Sequence, residues 1–98
     1  MPRAIVLDPA DNVATLIDPG RTGEAVALGG QRSGTVALVA DVPFGHKIAL
    51  ADIAAGTDIL KYGQVIGRAT AAIPAGAHVH VHNVEALRAR GDVSGRAA

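Results

Sequence analysis

The feature that most constrains the fold is the shortness of the apolar segments, which Gly or Pro interrupts roughly every eight to twelve residues. This spacing is typical of small β sandwiches and barrels, and almost no window repeats apolar residues with the period of a helix. We therefore predict an all-β fold with little helix, limited to one turn at 51–54 and a short stretch at 84–90. The predicted strands are 3–7, 12–17, 25–28, 35–40, 47–50, 58–60, 64–69 and 78–82.

An internal repeat indicates how this β fold is organised. The segment 52–59 recurs twenty residues later as 72–79, and each copy contains an Ile, a turn that ends in Gly, and a strand. Gly is favoured at the end of such a turn because it adopts positive φ without a steric penalty. A looser third copy lies at 16–20. Repeats this short cannot fold as independent units, so they predict a pseudo-symmetric domain whose two halves interlock.

The length of 98 residues fits one compact domain. We expect that domain to cover residues 1–98, with its core at about 4–84. Three glycines in six residues predict a flexible loop at 29–34, and the lack of apolar periodicity predicts a flexible tail at 91–98. Asp11 precedes an apolar segment and is expected to open a strand with an Asx turn.

The composition excludes several functions. Nine basic and nine acidic residues give no net charge, and one Phe with one Tyr offers no platform for base stacking, so we expect no nucleic acid partner. The chain has no cysteine, which removes disulfides and thiolate chemistry. The apolar run at 4–7 is too short for a signal peptide or a membrane span, so we expect a cytoplasmic protein without a membrane partner. A core with few aromatic rings gains from burial against another chain, which also allows a homo-oligomer.

Three of the four histidines alternate along the predicted strand 78–82. Side chains of a strand alternate between its faces, so His78, His80 and His82 would point to one face, ~6.5–7 Å apart. Two of these imidazoles can contribute to one metal ion, because imidazole is a ligand for Zn, Fe, Ni and Cu. No Asp or Glu lies within the strand, so further ligands would come from elsewhere, for example another chain. The alternative is a solvated edge strand whose histidines have no function.

His46 follows a Pro-Phe-Gly turn at a junction of loop and strand, where binding residues often lie. Its imidazole can act as an acid, a base or a metal ligand, or it can simply satisfy a hydrogen bond within the turn. The next residue, Lys47, would point to the opposite face and be solvated. Lys61 can pair with the carboxylate of a substrate, and Tyr62 can donate a hydrogen bond from a partly buried ring. The alternative is that Tyr62 packs over Gly63 or Gly67 and that Lys61 is merely exposed.

Several common catalytic motifs are absent from the sequence. There is no Gly-rich phosphate loop before a helix, no Gly-x-Ser-x-Gly elbow and no pair of carboxylates. A chain of this size is also too small to enclose a pocket of several hundred Å³ by itself. We therefore expect any site at the histidines to lie at an interface.

Five ordered motifs carry a resemblance to a known family. The motifs are Asp-Asn-Val-Ala at 11–14, Pro-Phe-Gly-His-Lys-Ile-Ala-Leu at 43–50, Asp-Ile-Ala-Ala-Gly at 52–56, Lys-Tyr-Gly-Gln-Val-Ile-Gly-Arg-Ala at 61–69 and Val-His-Val-His-Asn at 79–83. In this order they resemble the N-terminal domain of altronate and galactarate dehydratases, and the same module is similar to the stand-alone alpha subunit of sulfolactate sulfo-lyase. The similarity covers about residues 9–84 and implies a SAF-type β-clip fold, related in shape to type III antifreeze protein.

The resemblance implies site residues at seven positions, which include Gly63, whereas His78 falls at a position that we expect to vary. The residues expected to be catalytic are His46, His80 and His82. Those expected to bind the substrate are Lys61, Tyr62 and Asn83. The expected metal ligands are His80 and His82, completed by a partner chain.

The resemblance also implies an activity that this chain does not perform alone. We expect the small subunit of a hydro-lyase that removes water from a sugar-acid carboxylate to give a 2-keto-3-deoxy acid. A large catalytic subunit would supply most of the ligands to a divalent metal, usually iron. The chain would be inactive without that partner. The alternatives are the alpha subunit of a sulfolactate sulfo-lyase, which is a carbon–sulfur lyase, and a SAF module that binds a sugar acid or a protein and catalyses nothing.

Overall fold

The computed structural model describes residues 1–86, in which all regular secondary structure is β-strand, as predicted. The helical turn expected at 51–54 is absent, and the described part of 84–90 is a strand. Residues 87–90 and the predicted tail at 91–98 lie outside the described residues, and no helix within 1–86 is long and apolar enough to cross a membrane. The nine strands are β1 Arg3–Val6, β2 Val13–Leu16, β3 Ala25–Gly30, β4 Thr35–Ala37, β5 Lys47–Ala49, β6 Asp58–Lys61, β7 Gln64–Ala69, β8 His78–Val79 and β9 Val84–Ala86.

The strands form two sheets. A six-stranded sheet has the order β4-β3-β1-β2-β5-β8, and a three-stranded sheet has the order β6-β7-β9. All neighbours are antiparallel except β1 and β3. The prediction of helix at 84–90 is wrong over 84–86 because these residues pair with β7, where Gly67 lets the two backbones approach closely. This pairing outweighs a weak local helical pattern.

Two hydrophobic clusters meet at the seam between β2 and β5. Because side chains of a strand alternate between its faces, Ala14 and Ile48 enter the first cluster, whereas Val13 and Ala49 enter the second. Both strands are therefore buried on both faces. The other buried members are Ala4, Val6, Leu16, Val26, Leu38 and Val42 in the first cluster, and Ile53, Ile59, Ala69, Ile73 and Val79 in the second.

A unit of six residues occurs four times, and we call each copy a turn unit. Each turn unit begins at an isolated β-bridge, passes through a Gly whose φ lies between 79° and 89°, and ends at the first residue of a strand. The amide directly before that strand donates a hydrogen bond to the carbonyl three residues earlier. One bridge pairs the first unit with the second, and the other pairs the third with the fourth. The turn units are 20–25, 42–47, 53–58 and 73–78.

The predicted repeat corresponds to the last two turn units, 53–58 and 73–78, whose Ile residues form a bridge with each other. The looser copy predicted at 16–20 is misplaced, because the unit in that region begins only at Gly20. The sequence pattern did not predict the unit 42–47. Its turn carries Pro-Phe where the recognised copies carry Ala-Ala and Pro-Ala.

All eight predicted strands are present, and three of them end two or more residues away from the predicted position. β3 continues to Gly30, which pairs with Val6 of β1, so only the later part of the predicted loop 29–34 leaves the sheet. β4 ends at Ala37 instead of residue 40, because the next two amides bond to carbonyls of the turn units 20–25 and 73–78. β8 is three residues shorter than predicted, and the cause lies in the candidate site.

Candidate active site

The antiparallel pairing of β5 with β8 brings three histidines together. Lys47 lies opposite Val79, so the same register places His46, directly before β5, opposite His80, directly after β8. The rings of His46 and His80 stack with their centroids 4.1 Å apart. The His78 ring lies 5.0 Å from that of His46 and 5.4 Å from that of His80. We call these three residues the histidine cluster.

A hydrogen bond joins two members of the histidine cluster. The Nδ1 atom of His46 lies 2.8 Å from the Nε2 atom of His78. One of these nitrogens donates the proton and the other accepts it, so the donor ring, when neutral, keeps a free lone pair on its other nitrogen. All three rings are half-buried, and one nitrogen from each of His46, His78 and His80 lies within 4.8 Å of the others. The cluster can therefore accept a proton or bind a metal ion from the solvent side.

The electrostatic environment of the cluster is basic. Burial lowers the pKa of His78, and the charges of His46, His82, His80 and Lys47 lower it further. Burial, followed by the charges of His46, Lys47 and His82, also lowers the pKa of His80. Every charge that shifts these two pKa values is basic. The arrangement therefore favours neutral imidazoles and attracts an anion.

Lys47 contributes to this site, although the sequence predicts that it is solvated on the opposite face. Its side chain is half-buried, and burial lowers its pKa, with a further contribution from the charge of Lys61. It borders a recess of about 170 Å³ beside the histidine cluster. The prediction of a solvated side chain is wrong because Lys47 lies against this recess, which Ile66 of β7 and Val84 of β9 also line. The recess is lined by Lys47, Ile66, His80, Val81, Val84 and Ala86.

The strand predicted at 78–82 ends at Val79, because the side chain of Asn83 forms hydrogen bonds with the backbone that follows and precedes this residue. Its Oδ1 atom accepts a hydrogen bond from the amide of His80 at 3.0 Å, and its Nδ2 group donates to the carbonyl of His78 at 2.9 Å. Such side-chain bonds replace a strand ladder with a turn. His82 consequently lies exposed in the turn, with its ring centroid 5.2 Å from that of His78, and does not belong to the group of potential ligands.

Lys61 and Tyr62 lie at the tip of the hairpin between β6 and β7. Tyr62 and Gly63 form a two-residue loop with φ of 59° and 70°, as in a type I′ turn. The Tyr62 side chain is 63% exposed, and the Lys61 Nζ atom lies 5.4 Å from the centre of its ring. Lys61 is electrostatically coupled to Lys47, which in turn acts on the histidine cluster. The hairpin tip thus extends the basic surface of the site.

Asp11 holds this hairpin tip, a role that sequence reasoning missed. It is the one buried charged residue of the described chain, 1% exposed, and its carboxylate accepts hydrogen bonds from the amides of Tyr62 at 3.0 Å and Gly63 at 2.8 Å. The Asx turn expected at Asp11 is instead formed by Asp8, whose Oδ1 atom accepts the amide of Ala10 at 2.9 Å. The available signal was an Asp-Asn pair before a strand, but nothing local indicates a partner fifty residues away.

Asn12 binds the edge of the same hairpin. Its Nδ2 group donates to the carbonyl of Asp58 at 2.9 Å, and its Oδ1 atom accepts the amide of Leu60 at 2.8 Å. The side chain therefore continues the hydrogen bonding of β6 on the side where residues 1–86 provide no neighbouring strand. Asn12 and Asn83 thus each make two hydrogen bonds to the backbone, but Asn12 extends a strand edge whereas Asn83 ends a strand.

The fold and the site together define a small all-β domain that presents imidazole and ammonium groups at the junction of paired strands. Residues 2–87 match the altronate/galactarate dehydratase SAF domain family. The chain belongs to this family, as its motifs indicated, and its fold is that of a single small SAF domain.

Curated relatives agree with this assignment. The chain is 47% identical to altronate dehydratase of Escherichia coli K12 over 79 residues, which are 81% of this chain and 15% of that protein. It is 36% identical to galactarate dehydratase of the same organism, over 76% of this chain and 14% of that protein. It is also 47% identical to the (2R)-sulfolactate sulfo-lyase subunit alpha of Chromohalobacter salexigens, over 48% of this chain and 50% of that subunit. The chain thus spans about a seventh of the two dehydratases and half of the sulfo-lyase subunit.

Proposed function

We propose that this chain is the small SAF subunit of an altronate-dehydratase-type carbon–oxygen lyase. With a separate large subunit, it removes water from a sugar-acid carboxylate and yields a 2-keto-3-deoxy acid in the cytoplasm. The observation that carries the proposal is the histidine cluster beside Lys47, in a domain family whose relatives include dehydratases. The sulfo-lyase relative is named as a subunit alpha, which supports an enzyme of more than one subunit.

The chemistry requires a base and an acid near a bound carboxylate. A base removes the proton on the carbon next to the carboxylate, an acid protonates the departing hydroxyl, and the resulting enol becomes a 2-keto acid. The hydrogen-bonded pair of His46 and His78 offers a neutral imidazole nitrogen for proton transfer. Lys47 and Lys61 attract the carboxylate by charge, and Lys61 lies at the exposed hairpin tip, within reach of a substrate.

We further propose that a divalent metal, Fe²⁺ by the family resemblance, takes part in the reaction. The residues present fit such an ion, because three imidazole nitrogens lie within 4.8 Å of one another and imidazole is a common ligand for iron. The ligand pair expected from the sequence, His80 and His82, shares only His80 with this group. When bound, the ion would polarise a substrate oxygen and stabilise the departing hydroxide.

The proposal is tested by expressing the chain with and without a large dehydratase-like chain and measuring the formation of 2-keto acid from altronate and galactarate. We expect activity only in the complex, and an approximately 10²- to 10⁴-fold loss for His46→Ala or His80→Ala. Arg32→Ala is the matched control, because Arg32 is exposed and its side chain donates a hydrogen bond to the carbonyl of Pro9, away from the histidine cluster. Equal activity of the large chain alone would contradict the proposed role.

A second function, the alpha subunit of a sulfolactate sulfo-lyase, is favoured by one observation. The matched segment covers 50% of the named subunit alpha, compared with 15% and 14% of the two dehydratases. The same complex is therefore tested with sulfolactate. Release of sulfite without turnover of sugar acids would select this function, and binding of sugar acids without turnover of either substrate would indicate a non-catalytic SAF module.

A further inference from the structure

We propose that this chain alone, without a partner subunit, forms a transition-metal site from His46, His78 and His80. The inference rests on the proposed function only for the role of the ion in catalysis, because binding itself requires no reaction. It differs from the sequence-based expectation in two respects. The site belongs to this chain and not mainly to the partner, and His82 is not one of its ligands.

The distances among the three imidazoles are close to those of a metal site. The Nδ1 atom of His46 and the Nε2 atom of His78 are 2.8 Å apart, and one nitrogen from each of the three rings lies within 4.8 Å of the other two. Nitrogens bound to one ion at about 2.1 Å are separated by roughly 3.0–3.4 Å, depending on the coordination geometry. Small rotations of half-exposed rings within their rotamer wells are therefore sufficient to bring the three nitrogens onto one ion.

The backbone beneath the cluster is held in place before any ion binds. β5 is buried on both faces, and the register of β5 with β8 fixes His46 opposite His80. The side chain of Asn83 bonds to the backbone of both His78 and His80. The three ligands thus come from two paired strands whose relative position is set by main-chain hydrogen bonds, which lowers the entropy lost on binding.

The donor set determines which ions the site accepts. Three imidazoles without a carboxylate suit Fe²⁺, Co²⁺, Ni²⁺, Cu²⁺ and Zn²⁺, whereas Mg²⁺ and Ca²⁺ require oxygen ligands. The half-buried rings leave further coordination positions open to solvent, as in a catalytic site and unlike a closed structural site. A substrate carboxylate or hydroxyl drawn in by Lys47 can occupy such a position.

The test is a titration of the full chain, freed of metal, with Co²⁺, followed by calorimetry and by the visible absorption of the ion. We expect binding of one Co²⁺ per chain, no binding of Mg²⁺, and an affinity at least ~10-fold weaker in His46→Ala, His78→Ala and His80→Ala. His82→Ala is the matched control and should retain the wild-type affinity. A Co²⁺-dependent rise in the Tm of wild-type protein, absent in His78→Gln, provides a second readout for variants that are less stable.

Two results would overturn the inference. One is Co²⁺ binding by the wild-type chain that is no tighter than binding by the triple alanine variant. The other is a loss of affinity in His82→Ala as large as that in His78→Ala, which would assign the ion to the ligand pair expected from the sequence. Neither result bears on lyase activity, and inactivity of the complex with intact Co²⁺ binding would reject only the proposed function.

Discussion

Two of the four turn units carry His46 and His78 of the histidine cluster, and the other two have the same backbone without a histidine. All four turn on a Gly with φ between 79° and 89° and lead directly into a strand. Only the units 42–47 and 73–78 contain histidine, and only their strands, β5 and β8, pair with each other. The unit itself therefore supplies a stable scaffold, and the pairing of strands decides where a site arises.

The polar residues beside these units differ in the same way. Next to the unit 53–58, the side chains of Asp11 and Asn12 form hydrogen bonds with the backbone of the hairpin. At the ends of the units 42–47 and 73–78, the rings of His46 and His78 form a hydrogen bond with each other and remain half-exposed. Polar groups that are buried and fully paired stabilise the fold, whereas grouped polar side chains that face solvent are available for a ligand.

The largest effect on stability is expected when alanine replaces the glycine of the unit 73–78, compared with the same change in the unit 53–58. A Cβ at Gly76 would collide with the backbone carbonyl of Ala37, whereas a Cβ at Gly56 meets nothing within 4 Å. Both residues have positive φ, so Gly56→Ala should cost about 1–2 kcal/mol from backbone strain alone. We expect Gly76→Ala to cost at least about 4 kcal/mol, measured by urea unfolding. Equal costs would show that the two units are packed alike.

Removal of the buried carboxylate at Asp11 should have the next largest effect. Asp11→Ala leaves the amides of Tyr62 and Gly63 without their acceptor, which we expect to cost about 2–4 kcal/mol of unfolding free energy. Asp52→Ala is the control, because its carboxylate accepts the amide of Ala75 at an exposed position. That variant should lose less than about 1 kcal/mol. A loss of unfolding free energy in Asp11→Ala no greater than in Asp52→Ala would contradict the role assigned to the buried carboxylate of Asp11.

The two asparagines separate stability from binding. Asn12→Ala and Asn83→Ala each remove two hydrogen bonds to the backbone, so each should cost about 1–2 kcal/mol in urea unfolding. Only Asn83 supports ligands of the histidine cluster, so only Asn83→Ala should weaken Co²⁺ binding, by about 10-fold. Similar Co²⁺ affinities in the two variants would mean that Asn83 holds the turn without preparing the site.

The sequence predicts the strands well because each one is marked locally by an apolar run and a turn. It predicts the site only in part, because the cluster depends on pairing between strands that lie about thirty residues apart. His46 and His80 were expected to be catalytic and lie together, and His78, which was expected to vary, also belongs to the cluster. The alternation of histidines suggested that strand 78–82 continues, but Asn83 redirects the backbone after Val79.

The smallest expected effect concerns the link between the units 20–25 and 42–47. The exposed carboxylate of Asp41 accepts hydrogen bonds from the amide of Thr22 at 2.8 Å and from its hydroxyl at 3.0 Å, and these bonds lower the pKa of Asp41. A pKa that is lowered by folding stabilises the protein above the pKa of the unfolded state, which is about 3.9, and this contribution is lost as the pH falls through the folded pKa.

Asp41→Asn should therefore unfold at a slightly lower urea concentration than the wild type at about pH 7, and the two proteins should converge at about pH 2. Thr22→Val removes the hydroxyl donor but retains the amide, so its effect at neutral pH should be smaller than that of Asp41→Asn. An offset between wild type and Asp41→Asn that stays constant down to pH 2 would contradict the assignment. The bond would then contribute to stability through packing of the loop, and the charge on Asp41 would have no part in joining the first turn unit to the second.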